Sequence, residues 1–151
     1  MAIVNRSFPP GSVVPVLAYH DVPKAIEWLC GAFGFAERLR TSPEPDGTVH
    51  HVQLLVGNGA VMLRGRRGGP GAPDSRHNES AISILVHVDD VDAHCERAKQ
   101  FGARILNPPR TTEFGERQYS AEDLAGYHWA FSQSLADVAP EKWGAHVSRL
   151  E

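Results

Sequence analysis

FGERQYSAEDLAGYHWAF, residues Phe114 to Phe131, is the stretch whose reading decides the fold. Its first part has strand character to about Ser120, and an aromatic alternation resumes at Tyr127, Trp129 and Phe131. Between them Ala121-Glu122-Asp123-Leu124-Ala125-Gly126 supplies an Asp for side-chain-to-backbone turn bonding and a Gly for a positive backbone angle. The reading is a β-hairpin. In its second strand Trp129 and Phe131 share one face, while His128, Ala130 and Ser132 share the other. One face seeks a core, and the other is free to line a binding surface.

Working outward, the hairpin closes a unit that occurs twice. Ala81 to Val88 is an apolar strand, Asp90 stands at a helix start, and Val91, Cys95, Ala98 and Phe101 follow at helical spacing. Arg104-Ile105-Leu106 reads as a strand that breaks at Asn107-Pro108-Pro109 before the final hairpin. The first half shows the same order. Val13 to Tyr19 is β-rich, Asp21 is an N-cap with Pro23 in the first turn, and Val22, Ile26, Leu29 and Phe33 form one helical face closed by Gly34. Phe35 to Arg40 reads as a strand, SPEPDG as a turn, and Val49 to Val56 with Ala60 to Leu63 as a hairpin around Gly57-Asn58-Gly59. Asp90 stands 69 residues after Asp21, and Phe101 stands 68 after Phe33, so the register of the repeat holds to within one residue.

The domain organisation follows. Residues 12–64 form the first module, 65–80 a Gly-, Pro- and Arg-rich linker without apolar periodicity, 81–133 the second module, and 134–151 a tail. In that tail Pro140 and Glu141 begin a short helix carrying Trp143. Arg64, Arg66, Arg67 and Arg76 in and beside the linker are read as solvated charges rather than as an anion clamp. A sheet with one helix leaves its other face bare, so each module needs a second one, and the bare faces then form a shared concave cleft.

Composition narrows the function classes. The chain has 151 residues, 42% hydrophobic and 22% charged, with a net charge of −3. Such a charge offers no broad basic field for nucleic acid or anionic lipid. The N-terminal MAIVNRSFPPGSVV lacks a continuous apolar core of the secretory kind, and no run is long enough to span a membrane. The expectation is a cytoplasmic protein with no nucleic-acid or membrane partner. Cys30 and Cys95 are isolated within helical patterns and read as reduced core thiols. No nucleophile elbow, phosphate loop, dinucleotide fingerprint, paired Cys motif or zinc helix is present.

The Asp-x-x-Gly turn before an aromatic strand, the preceding FGER segment, and the phrases HDVPKAIEWLCGAFGF and GTVHHVQLLVGNGAVML resemble the vicinal oxygen chelate superfamily, the glyoxalase, bleomycin-resistance and dioxygenase proteins. The resemblance covers about residues 12–133. It implies an α+β fold of two βαβββ modules with helices on the outer faces, and a homodimer. In that family, metal ligands stand in the first and last strands of each module. Counted from the helix-start Asp residues and the hairpin Gly, those positions in this chain are Val14, Met62, Ser83 and Ala130. Valine and alanine carry no lone pair, serine binds such ions poorly, and a thioether prefers soft ions. The resemblance therefore implies a fold whose usual metal site this chain lacks, and the expected cofactor is none.

By strand parity His87 points with Ser83, His128 with Ala130, and His51 with Gln53 and Leu55. His51, Gln53, Met62, His87, Gln118, His128 and Ala130 are the candidate ligand-binding residues. A histidine-based metal site displaced from the usual positions finds no carboxylate at a matching position to complete it. Glu116 reads as a solvated edge charge, with a role as general base the alternative, because a bulge at Gly115 exchanges which alternate residues face inward. The functional expectation is a metal-free small-molecule binding protein that sequesters an aromatic or antibiotic-like compound in the cleft between modules. The alternative is a metal-dependent lyase, isomerase or dioxygenase of the glyoxalase type, acting on vicinal oxygens of its substrate.

Overall fold

A computed structural model describes residues 3–49, 51–65 and 82–148. The chain divides into two compact units, Met1–Asn78 with Leu124–Gly126 and Glu79–Asp123 with Tyr127–Glu151. The linker expected over residues 65–80 lies outside the described residues except for Gly65, which ends a strand.

The first unit is built from β1 (Val16–Tyr19), α1 (Val22–Phe33), β2 (Ala36–Arg40), β3 (Val52–Val56) and β4 (Gly59–Gly65). The strands form one sheet in the order β1-β4-β3-β2, parallel between β1 and β4 and antiparallel elsewhere. Asp21 caps α1 by accepting from Lys24 N at 3.1 Å, and Gly34 ends it at φ 76°, a left-handed conformation that costs a residue without Cβ nothing. Register places Leu17, Leu63, Val52, Leu54 and Val61 on one sheet face, all buried, opposite the buried helix residues Ala25, Ile26, Leu29 and Phe33. Each fully buried side chain of leucine or phenylalanine size stabilises the unit by roughly 1.5–3 kcal/mol. β1 begins at Val16, three residues later than the composition suggests, because Pro15 has no N–H to donate and Val13 stays 86% exposed.

The second unit repeats this topology with β5 (Ser83–His87), α2 (Val91–Gln100), β6 (Arg104–Thr111), β7 (Glu116–Glu122) and β8 (His128–Ser134) in the order β5-β8-β7-β6. Asp90 caps α2 through Ala93 N at 3.1 Å, and Gly102, at φ 87°, follows its last turn. Trp129, Phe131, Tyr119 and Ala121 form the buried face, against Val91, Cys95 and Ala98 of α2. Tyr119 stacks on Phe131 with centroids 5.1 Å apart, and its hydroxyl lies 2.5 Å from His94 Nδ1. Burial pushes the Tyr119 hydroxyl and the Cys95 thiol upward in pKa, so both stay protonated as core groups.

Two boundaries differ from the sequence reading. The strand after α2 does not break at Asn107-Pro108-Pro109: β6 runs through both prolines to Thr111, with register shifts on either side of Asn107. β6 is an edge strand, where a residue without N–H leaves no neighbour unpaired. The hairpin strand does not end near Ser120 but continues to Glu122, so the turn is only Asp123–Gly126. The Asp123 carboxylate explains the tighter turn, accepting from Tyr127 N at 3.0 Å and from the indole Nε1 of Trp129 at 3.1 Å. In the tail, Pro140–Trp143 is a 3-10 turn, and Trp143 packs on Phe114 with ring centroids 5.3 Å apart.

Candidate functional site

In each unit the helix covers one sheet face, and the candidate residues stand on the other. On the first sheet that face is mainly apolar. Val16 pairs with Met62, Gln53 with Met62, and Leu55 with Ala60, so all five share it. Gln53 is fully buried there, which is unusual for an amide. It accepts from Arg38 Nη1 and donates from Nε2 to the carbonyl of Ser7 at 2.7 Å, while Arg38 Nη2 donates to the carbonyl of Arg6 at 2.8 Å. The N-terminal segment of the unit thus closes over Gln53. His51, half-buried, precedes β3 and is held by its main chain, its N donating to Thr41 Oγ1 at 3.3 Å. His50 lies outside the described residues.

On the second sheet the corresponding face is polar. Ser83 pairs with His128 and His128 with Glu122, which pairs with Arg104. The next row is Leu85, Ala130, Ser120 and Asn107, and the one after it His87, Ser132, Gln118 and Arg110. Four sequence candidates, His87, Gln118, His128 and Ala130, therefore share this one face. Gln53 and Met62 share the first sheet's face, whereas among the described residues His51 is held through its main chain and its ring has no hydrogen-bond partner. Register also makes Met62 and Ala130 equivalent, since each pairs with the residue five before its helix-capping Asp, Val16 and Leu85 respectively.

Two expectations change. Glu116 is no edge charge: it opens β7, an interior strand, half-buried, with Gln118 beside it on the helix-free face. Arg117 faces the other way and forks onto the Asp92 carboxylate, with Nε 3.0 Å from Oδ2 and Nη2 3.0 Å from Oδ1. That hydrogen bond raises the Arg117 pKa. The second change is that His128 does have a carboxylate beside it. Glu122, 3% exposed, places Oε1 3.6 Å from His128 Nε2, while its Oε2 accepts from Arg104 at 3.2 Å. The extension of β7 past Ser120 is what brings Glu122 there. The signal was legible in the hairpin: once Asp123 is the turn residue, Glu122 and His128 must face each other.

The donor set at the family's ligand positions does not fit a divalent ion. Val14 lies ahead of β1, Met62 and Ala130 sit mid-strand, and Ser83 opens β5, exposed, across from His128. Their side chains supply one thioether and one hydroxyl between them. Among the described residues no three His, Cys, Asp or Glu side chains gather as metal ligands. Cys95 is buried, which raises its thiol pKa and disfavours the thiolate, and Cys30 is half-buried.

The paired units with one helix per four-stranded sheet are those of the Glyoxalase/Bleomycin resistance protein/Dioxygenase superfamily, whose family model matches residues 12–131, and the chain belongs to that superfamily. It is similar to TioX from Micromonospora sp. ML1, at 35% identity and a TM-score of 0.66, over 85% of this chain and 100% of that one. An uncharacterized protein of Mycobacterium bovis is 29% identical over 138 residues, 89% of this chain and 90% of the relative. The fold is shared with the fosfomycin resistance protein FosX from Listeria monocytogenes complexed with Mn(II) and sulfate. That match has 18% identity and a TM-score of 0.61, over 82% of this chain and 90% of that one. Among the described residues no helix is long and apolar enough to cross a membrane.

Proposed function

We propose that the protein is a metal-free binding protein of the glyoxalase/bleomycin-resistance type that sequesters an aromatic or antibiotic-like small molecule on its helix-free sheet faces. The observation that carries this reading is the chemistry at the superfamily's ligand positions: Val14, Met62, Ser83 and Ala130 cannot together hold a hard or borderline cation. Without a Lewis acid of its own, the chain has no group at those positions to polarise vicinal oxygens. What its faces offer suits capture. The first presents Val16, Leu55, Ala60 and Met62 as an apolar floor, and the second presents Gln118, His87, His128 and Ala130 with serine and carboxylate neighbours. A homodimer and a cytoplasmic location belong to the same proposal.

A second reading, a metal-dependent activity of the glyoxalase type, is favoured by one observation, the 3.6 Å approach of His128 to Glu122. Arg104 weighs against it, because its guanidinium engages the same carboxylate and repels a cation there. Elemental analysis of untagged protein, a turnover assay on the glutathione hemithioacetal of methylglyoxal, and a tryptophan-fluorescence titration with aromatic antibiotics together test the choice. Sequestration expects no stoichiometric Zn, Ni, Fe or Mn, no turnover, and saturable quenching. One metal per chain, lost together with turnover in His128→Ala, would overturn it.

A further inference from the structure

Glu116 carries the feature that the proposed binding function leaves unused. Both of its side-chain donors fall on one oxygen: Ser132 Oγ donates to Oε1, and Gln118 Nε2 lies 3.3 Å from the same atom. Among the described residues Oε2 has no donor. Ser132 is 3% exposed, so its hydroxyl has a fixed direction. The main chain is pinned as well, since Glu116 N donates to Thr112 Oγ1 at 3.2 Å and Thr112 N to Glu116 O at 2.7 Å. The side chain is thereby held in one orientation with half of its acceptor capacity unfilled.

Nor is its charge balanced by the sheet. Arg117 is turned to Asp92 and Arg104 to Glu122, and Arg110, exposed across from Gln118, forms no ion pair with Glu116. The polar neighbours on the remaining strands are Ser134, directly across on β8, and the exposed His87 on β5, whose Nε2 lies 3.3 Å from Ser134 Oγ. An ionised carboxylate accepts only, and its strongest partner is a charged donor, so a preoriented, half-buried carboxylate without a cation selects one from outside.

We infer that Glu116 is the anchor for a protonated amine on the ligand, which docks an N–H on Oε2 while Ser132 and Gln118 hold Oε1. This rests on the sequestration reading and narrows its ligand class to aromatic compounds bearing a cationic amine. Phe114, two residues before Glu116, packs on Trp143 with ring centroids 5.3 Å apart just ahead of β7.

The test titrates the full-length protein at pH 7 with two flat probes of nearly equal size, cationic 9-aminoacridine and neutral acridine, by calorimetry. Wild type is expected to bind the cation about tenfold more tightly, the worth of one charge-assisted hydrogen bond. Glu116→Gln, which keeps an acceptor for Ser132, is expected to abolish that preference, read as the ratio of the two probes' affinities. Should that variant fail to fold, Ser132→Ala carries the test, with the ratio of the two probes' affinities reduced toward one. A cation preference that persists in Glu116→Gln, or is absent from wild type, overturns the amine assignment. Failure of both probes to bind wild type overturns it too. In each case the sequestration reading still stands or falls on metal content, hemithioacetal turnover and the antibiotic titration.

Discussion

Replacing Asp123 by alanine tests the device that closes the second unit's hairpin. The carboxylate, 2% exposed, accepts from Tyr127 N at 3.0 Å and from Trp129 Nε1 at 3.1 Å. Trp129 is fully buried, so its indole N–H finds no water when the acceptor is removed, and an unsatisfied buried donor costs roughly 1–3 kcal/mol. Tyr127 is half-buried, and its N–H regains water at a cost of about 1 kcal/mol. The sum is about 3 kcal/mol, which for a chain of this size lowers Tm by roughly 6–12 °C. Asp123→Asn keeps one oxygen and is expected to lose about half as much. Urea unfolding followed by near-UV circular dichroism of the tryptophans, with Asp123→Ala, Asp123→Asn, Trp129→Phe and the double variant, isolates the coupling between carboxylate and indole. If Asp123→Ala lies within about 0.5 kcal/mol of wild type, or the double variant shows no coupling, the turn is not held as described.

Three further outcomes follow from particular contacts. Gly115 sits at φ 85°, and a Cβ there would approach the Ala136 carbonyl oxygen to 2.4 Å, so Gly115→Ala is expected to lift the tail, measured as a shift in Trp143 emission and a loss of at least about 1 kcal/mol in denaturant unfolding. Cys95 and Tyr119 have raised pKa values in the fold, so the stability they contribute is complete below their unfolded values of 9.0 and 10.0 and falls as pH rises beyond them. Unfolding midpoints from pH 8 to 11 should therefore decline, less steeply in Tyr119→Phe; equal slopes would refute the assignment. Arg38→Met removes the guanidinium that bridges Gln53 and the Arg6 carbonyl, and hydrogen exchange of residues 5–8 is expected to quicken several-fold while β3 and β4 keep their protection, whereas unchanged exchange would mean the segment is held by something else.

The element order was legible from local signals. Asp21, Asp90 and Gly34 marked helix ends because a cap is a contact with residues three or four away, which spacing alone reveals. The prolines of β6 misled for the converse reason. Whether Pro108 and Pro109 break a strand depends on whether that strand is an edge, a property of the sheet and not of the segment. The candidate site was legible by half. Alternation correctly kept His87 with Ser83 and His128 with Ala130, yet Glu116 was read as an edge charge and Glu122 as part of a turn.

What the sequence by itself determined is the duplicated strand-helix-strand-strand-strand order, the helix caps, and the absence of good donors at Val14, Met62, Ser83 and Ala130. All of these are properties of residue identity and short-range spacing. The tertiary structure alone decided which alternate residues of β7 face away from the helix, that Ser132 and Gln118 converge on one oxygen of Glu116, and that Asp123 reaches the Trp129 indole. The physical reason is that parity relates neighbours within a strand only relative to one another. The absolute face and the cross-strand partner are set by register, which the turn and the packing against the helix select.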